Sequence, residues 1–321
     1  MHRPVPGPRS AAGGRRHSTP DEVTRLLPTA VDGTRPFGAH LRMSWWKPLV
    51  LLAVLPMVLL GSQVLAWSVV GAVEGSDDAF STEFTPLKSL AANLAIGATG
   101  VVAVLLLRWM PRVPWRILLS PQRRFDRRRL GYYSACAAVL VAAGLGTVAV
   151  VGPEATGWTG FGITDTTVAL LAVTLLTIPI QATGEELMYR GVLFPATASW
   201  VRAVRPALAV GLVVSSLVFA ALHGSADPWL AGYIALIALS TGLMSVISGG
   251  LEAPIAFHVV NNVLAGIANN VMAGGGTAAV DRSTETGGPP LLILGAVNIA
   301  MVVVVVRWHE KRCRSAPRPA R

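Results

Sequence analysis

Long apolar runs divide the chain, and its polar residues collect between the runs rather than alternating with apolar ones. Eight runs reach roughly the 20 residues that a helix needs to cross a hydrocarbon core. They are residues 48–72, 89–108, 133–152, 167–187, 206–223, 229–248, 253–273 and 289–307. Only helices and closed barrels satisfy their backbone in lipid, and runs of this length are helical. The pattern predicts an all-α polytopic membrane protein, a bundle of about eight transmembrane helices. Trp45 and Trp46 stand at the entrance of the first run and Trp308 at the exit of the last, where interfacial aromatic belts form.

Composition and charge fix the orientation. Of the 321 residues 52% are hydrophobic and 14% charged, against about 25% charged in soluble domains. The net charge of +10 is confined to the tails and to particular loops. "EGSDDAFSTEFTPLK" is acidic, "RWMPRVPWRILLSPQRRFDRRRLGYY" strongly basic, "GPEATGWTGFGITD" free of Lys and Arg, and "YRGVLFPATASWVRAVRP" basic again. Basic and non-basic loops alternate as the positive-inside rule requires, which supports an even number of spans and puts both termini in the cytoplasm. An integral protein of the plasma membrane is expected. The basic residues are thereby explained as topology signals, and no nucleic-acid partner is called for. Cys136 and Cys313 suggest neither a disulfide framework nor a cysteine-rich zinc site. The Pro-, Gly- and Arg-rich residues 1–44 and the basic residues 309–321 read as cytoplasmic tails, the first of them disordered.

Three polar clusters fall inside or at the ends of apolar runs. An ionisable group there costs roughly 2.5–3.5 kcal/mol on insertion scales and marks a functional site by default. The first cluster, in "QATGEELMYR", is Glu185, Glu186 and Arg190, with Gln181 one turn before Glu185. Glu186 and Arg190 are four apart and can pair on one helix face, which leaves Glu185 pointing elsewhere. A charge cluster at a helix end accounts for these residues equally well. The second is "FAALH", with Phe219 one turn before His223. The third is "HVVNN", in which His258 and Asn262 share a face and Asn269 continues their line. Interhelical hydrogen bonding would explain Asn261, Asn269 and Asn270 without function. Taken together, a carboxylate, two imidazoles and a carboxamide supply a general base, a water ligand and oxyanion donors for hydrolysis.

In order, these clusters match the motifs EExxxR (residues 185–190), FxxxH (219–223) and HxxxN (258–262). The chain therefore resembles the CPBP (CAAX protease and bacteriocin-processing, or Abi) family of intramembrane proteases, which includes the type II CAAX prenyl endopeptidase. The resemblance covers about residues 167–273. It implies a helical intramembrane endopeptidase, with residues 45–165 as N-terminal helices, 166–275 as catalytic core and 276–308 as the last loop and helix. It implies Glu185 as the base for the attacking water, His223 as its positioner, and His258 with Asn262 as the oxyanion site. Glu186, Arg190 and Phe219 would support them. A metal is left open. Glu185, His223 and His258 could make an open zinc site, no HExxH is present, and a metal-free, glutamate-driven mechanism is also argued for the family. The implied partners are membrane lipid and a peptide or protein substrate, lipidated or not, that reaches a water-filled cavity open to the cytoplasm.

One expectation conflicts with the linear topology. Glu185 and His258 fall toward the cytoplasmic side, whereas His223 falls near the far end of its span. They can meet only if that span is shifted toward the cytoplasm, or if spans are broken or tilted. Two other readings are a non-catalytic membrane scaffold or regulatory protein of the same fold, and a transporter using the charged residues as a pathway. The chain lacks the internal repeat that many transporters show.

Overall fold

The computed structural model describes residues 29–81, 83–276 and 287–315. Within them the expected helices form: α1 (Trp46–Glu74), α2 (Pro86–Trp109), a short α3 (Trp115–Leu119), α4 (Arg127–Val151) and α5 (Asp165–Glu186). A π-helical segment (Leu187–Leu193) then joins α5 without a break to α6 (Phe194–Ala198). There follow α7 (Val204–His223), α8 (Pro228–Ser248), α9 (Glu252–Val271) and α10 (Leu291–Ser315). Local chemistry sets several boundaries. Thr85 caps α2 ahead of Pro86, Thr164 and Thr167 close a capping box on α5, and Asp227 caps α8 ahead of Pro228. Helices α7 and α8 end on left-handed Gly224 and Gly249.

Seven helices are long and apolar enough to cross a membrane, with α5 counted through to Ala198. The eighth expected span, α9, is 20 residues long but is not among them. Its histidine and four asparagines lower its hydropathy, and it runs between the same two ends of the bundle as its neighbours. At one end Glu252 pairs with Arg123, and at the other Ala273 bridges to Gly160.

Charge distinguishes the two ends sharply. One end gathers the basic α2–α4 connection, the α6–α7 connection and the C-terminal part of α10, held together by Ser120 to Gly249 O, Trp200 to Trp45 O and Arg312 near Asp126. At the opposite end Lys88 is the only Lys or Arg among the described residues, alongside Glu74, Asp77, Asp78, Glu83, Glu154, Asp165 and Asp227.

Residues 29–44, grouped by composition with a disordered tail, form a folded loop; residues 1–28 lie outside the described residues. Val31 bridges to Leu41, Asp32 pairs with Arg42, and Asp32 N–H donates to His40 O. Gly38 takes φ +88° where a Cβ would strike the Phe194 ring, so both its backbone and its close approach call for glycine. Phe37, Ala39, His40 and Leu41 are all buried at the basic end of the bundle. Phe37 packs among Leu251, Ile255 and Leu187, Ala39 beside Phe194, and Leu41 with Leu51, Leu118 and Met188. Arg35 donates to Arg202 O, and Gln122 donates to Arg35 O. Three apolar side chains anchored among helices outweigh the local Pro, Gly and Arg content.

Candidate active site

Helix α5 reaches the site through a close crossing with α2. A Cβ on Gly100 would lie 2.4 Å from Gly184 Cα, and one on Gly184 would lie 2.8 Å from Gly97 Cα. Only small residues let helix backbones approach so closely. The two glutamates follow immediately, and both are buried. They do not end the helix, because the chain continues through the π segment to Ala198. π turns are uncommon and recur at functional sites.

This length resolves the depth conflict. Phe194 packs on Gly211 of α7, and Arg190 donates to Ala238 O and to Thr241 Oγ1 of α8. Glu185 lies nine residues before Phe194, about 13 Å along the axis. The same step along the antiparallel α7 leads from Gly211 to the level of Phe219–His223. The α7–α8 hairpin is thus shifted toward the basic end relative to α5, as the motifs required, and His223 ends its helix beside Glu185.

Around the carboxylates the groups are tightly arranged. Glu186 Oε1 accepts from His258 Nδ1 at 2.7 Å and lies 3.4 Å from Arg190 Nη1. Glu185 Oε2 lies 3.3 Å from His258 Nε2 but is not aligned for a hydrogen bond. Phe219 keeps the parts apart: the Arg190 guanidinium sits 4.7 Å from its ring centroid, and the rings of His223 and His258 lie 4.4 Å and 6.0 Å away. His223 Nδ1 donates to Phe219 O at 2.8 Å.

Glu185, His223 and Asn262 line a single cavity of about 690 Å³, together with Gln181 and, farther out, Asn93, Trp67 and Phe84. Asn262 Oδ1 accepts from Asn261 Nδ2 at 3.2 Å, and Tyr233 Oη donates to Asn261 Oδ1 at 3.3 Å. That chain assigns the amide nitrogen of Asn262 to the cavity. The other asparagines pack helices, as one of the two sequence readings had it: Asn269 accepts from Trp158 Nε1, and Asn270 donates to Thr174 Oγ1.

All seven motif residues therefore assemble, while the zinc set does not. His258 turns both ring nitrogens toward carboxylates, His223 spends Nδ1 on a backbone carbonyl, and no three His, Cys, Asp or Glu side chains converge as ligands among the described residues. Glu185, His223 and His258 as arranged do not fit a metal. The motifs gave no warning of Gly97, Gly100, Asn93 and Tyr233, whereas Asn261 makes the interhelical bond expected of it. The small-residue spacing of "GATG" was the one available signal, for the crossing alone.

Neither a curated protein nor a solved structure matches the chain. Residues 166–264, the stretch holding every one of these motif residues, match the family model described as type II CAAX prenyl endopeptidase Rce1-like.

Proposed function

We propose that the protein is an intramembrane endopeptidase that hydrolyses a peptide bond with water activated by Glu185. The convergence of Glu185, His223 and Asn262 on one cavity, with His258 against Glu185, carries this reading. Water held between Glu185 and His223 Nε2 loses a proton to Glu185 as its oxygen attacks the scissile carbonyl. The oxyanion that forms takes N–H donation from Asn262 Nδ2 and from His258 Nε2, whose proton no aligned bond to Glu185 holds. As the C–N bond breaks, Glu185 returns its proton to the leaving amine. Glu186 accepts from His258 Nδ1, which orients the ring, and Arg190 beside it holds Glu186 in place. The substrate is a peptide associated with the membrane.

A quenched fluorescent peptide library, incubated with purified protein in detergent, tests this. Glu185→Gln should cut at least 10²-fold more slowly than wild type, in the range that general-base catalysis contributes, while melting at the same temperature. Wild-type turnover by folded Glu185→Gln protein refutes the role of Glu185. A chelator should leave the rate unchanged.

A further inference from the structure

The two ends of the bundle offer the site very different routes. At the basic end the way is filled. Below Glu186 lie Leu187, Met188 and Tyr189, and beneath them the folded loop 32–40 is wedged among α1, α3, α6, α7 and α9 with Phe37, Ala39 and Leu41 buried. Toward the other end the cavity runs without interruption from Glu185 past Asn93 to Ser81 and Phe84 in the α1–α2 connection. Its wall is low on one side. Helix α7 stops at His223, level with the site, whereas α5 continues outward for 20 residues to Asp165, about 30 Å.

The lining also restricts what can enter. Among the described residues it is aromatic, aliphatic, small or neutral and polar, and Glu185 is the only Asp, Glu, Lys or Arg in it. Lys88, the one Lys or Arg of the described residues at that end, is buried behind Ser81, to whose Oγ it donates at 2.7 Å. Lys88 is twelve residues along α2 from Gly100, which touches Gly184, and so about 18 Å from the level of the glutamates. A carboxylate three residues beyond the scissile bond reaches about 10 Å. Among the described residues no basic side chain lines the cavity to meet it there.

We infer that the site is loaded from the end of the bundle without basic loops, the non-cytoplasmic end by the positive-inside rule, and that it takes an internal, uncharged stretch of a membrane-associated peptide rather than a free C-terminal tripeptide. The route stands on the packing alone; the substrate class rests on the proteolytic reading above.

Thiol labelling of the full-length protein in intact cells tests the route independently of activity. In a Cys136→Ala, Cys313→Ser background, Ser81→Cys at the mouth and Ala265→Cys on the cavity wall should react with a membrane-impermeant maleimide, whereas Arg124→Cys should react only after permeabilisation. Asn93→Cys provides a second wall position if Ala265→Cys fails to fold. Labelling of Arg124→Cys from outside, or of the wall positions only after permeabilisation, overturns the route. Quenched uncharged peptides with blocked ends, and the same peptides with a free carboxylate three residues past the cut, are then given to right-side-out and inside-out vesicles. Cleavage is expected in right-side-out vesicles, with the blocked peptides cut within about twofold of the free ones. Cleavage confined to inside-out vesicles, or a tenfold preference for the free carboxylate, overturns the substrate class. No cleavage in either orientation refutes the proteolytic reading and the substrate class with it, and the labelling pattern still decides the route.

Discussion

At the residue scale, the adjacent glutamates divide the work that one carboxylate could not do. Glu186 is fully buried between Arg190 and His258, so its charge is structural, whereas Glu185 faces the cavity. Glu186→Gln leaves Arg190 with an uncompensated buried charge and should cost about 3–5 kcal/mol. A melting curve in detergent would show it as a large drop in Tm, set against the unchanged Tm expected of Glu185→Gln. Asn262 and Asn261 differ in the same way. Removing an oxyanion donor costs about 10²–10³ in rate, so Asn262→Leu should fall in that range. Asn261 acts only by orienting Asn262, and Asn261→Leu should lose less, on the order of tenfold, as outer-shell partners do. Cleavage rates measured side by side on the same peptide would expose the order, and equal losses would mean that Asn261 itself touches the substrate.

Among the elements, the α2–α5 crossing sets where the glutamates sit. Gly100→Leu would drive a side chain into the backbone at Gly184 and should abolish both folding and cleavage. Gly146→Leu, on the exposed side of α4 with open space around it, should change Tm by no more than a degree or two. Stability of the two purified variants checks the pair. This is also the scale at which the sequence was most and least legible. Apolar runs located the helices because lipid demands about 20 apolar residues whatever they pack against. The motifs located the site because buried charge is costly enough to be conspicuous. The length of α5 was hidden because Glu185, Glu186, Arg190 and Pro195 look like an exit from the membrane. In the structure all four are buried, the glutamates against His258 of α9 and Arg190 against α8. Gly97 and Gly100 were hidden because a glycine in an apolar helix has no period that names its partner.

Across the whole molecule, the closed basic end should respond to pH through the terminal loop. His40 is completely buried there, its ring tilted against Phe37 at 5.3 Å between centroids, and neither ring nitrogen has a hydrogen-bond partner. Burial alone pushes its pKa down from the usual 6.5 to about 3. The unfolded chain therefore binds a proton below about pH 6.5 that the native loop refuses until about pH 3, and stability is lost as pH falls through that window. Asp32, held at about 2 by Thr34 and Arg42, keeps its charge in the native loop while the unfolded carboxyl takes its proton near 3.8, so its own loss sets in below about pH 4 and runs down to about pH 2. Melting curves between pH 8 and pH 4 should be flat above pH 6.5 and should fall below it, with the loop opening before the bundle does. His40→Leu fills the same apolar site without a titrating group, so its Tm should stay nearly constant to pH 5 where that of the wild type declines. If both proteins decline in parallel, the acid sensitivity belongs to groups outside the loop, and the seal at the basic end does not depend on a neutral His40.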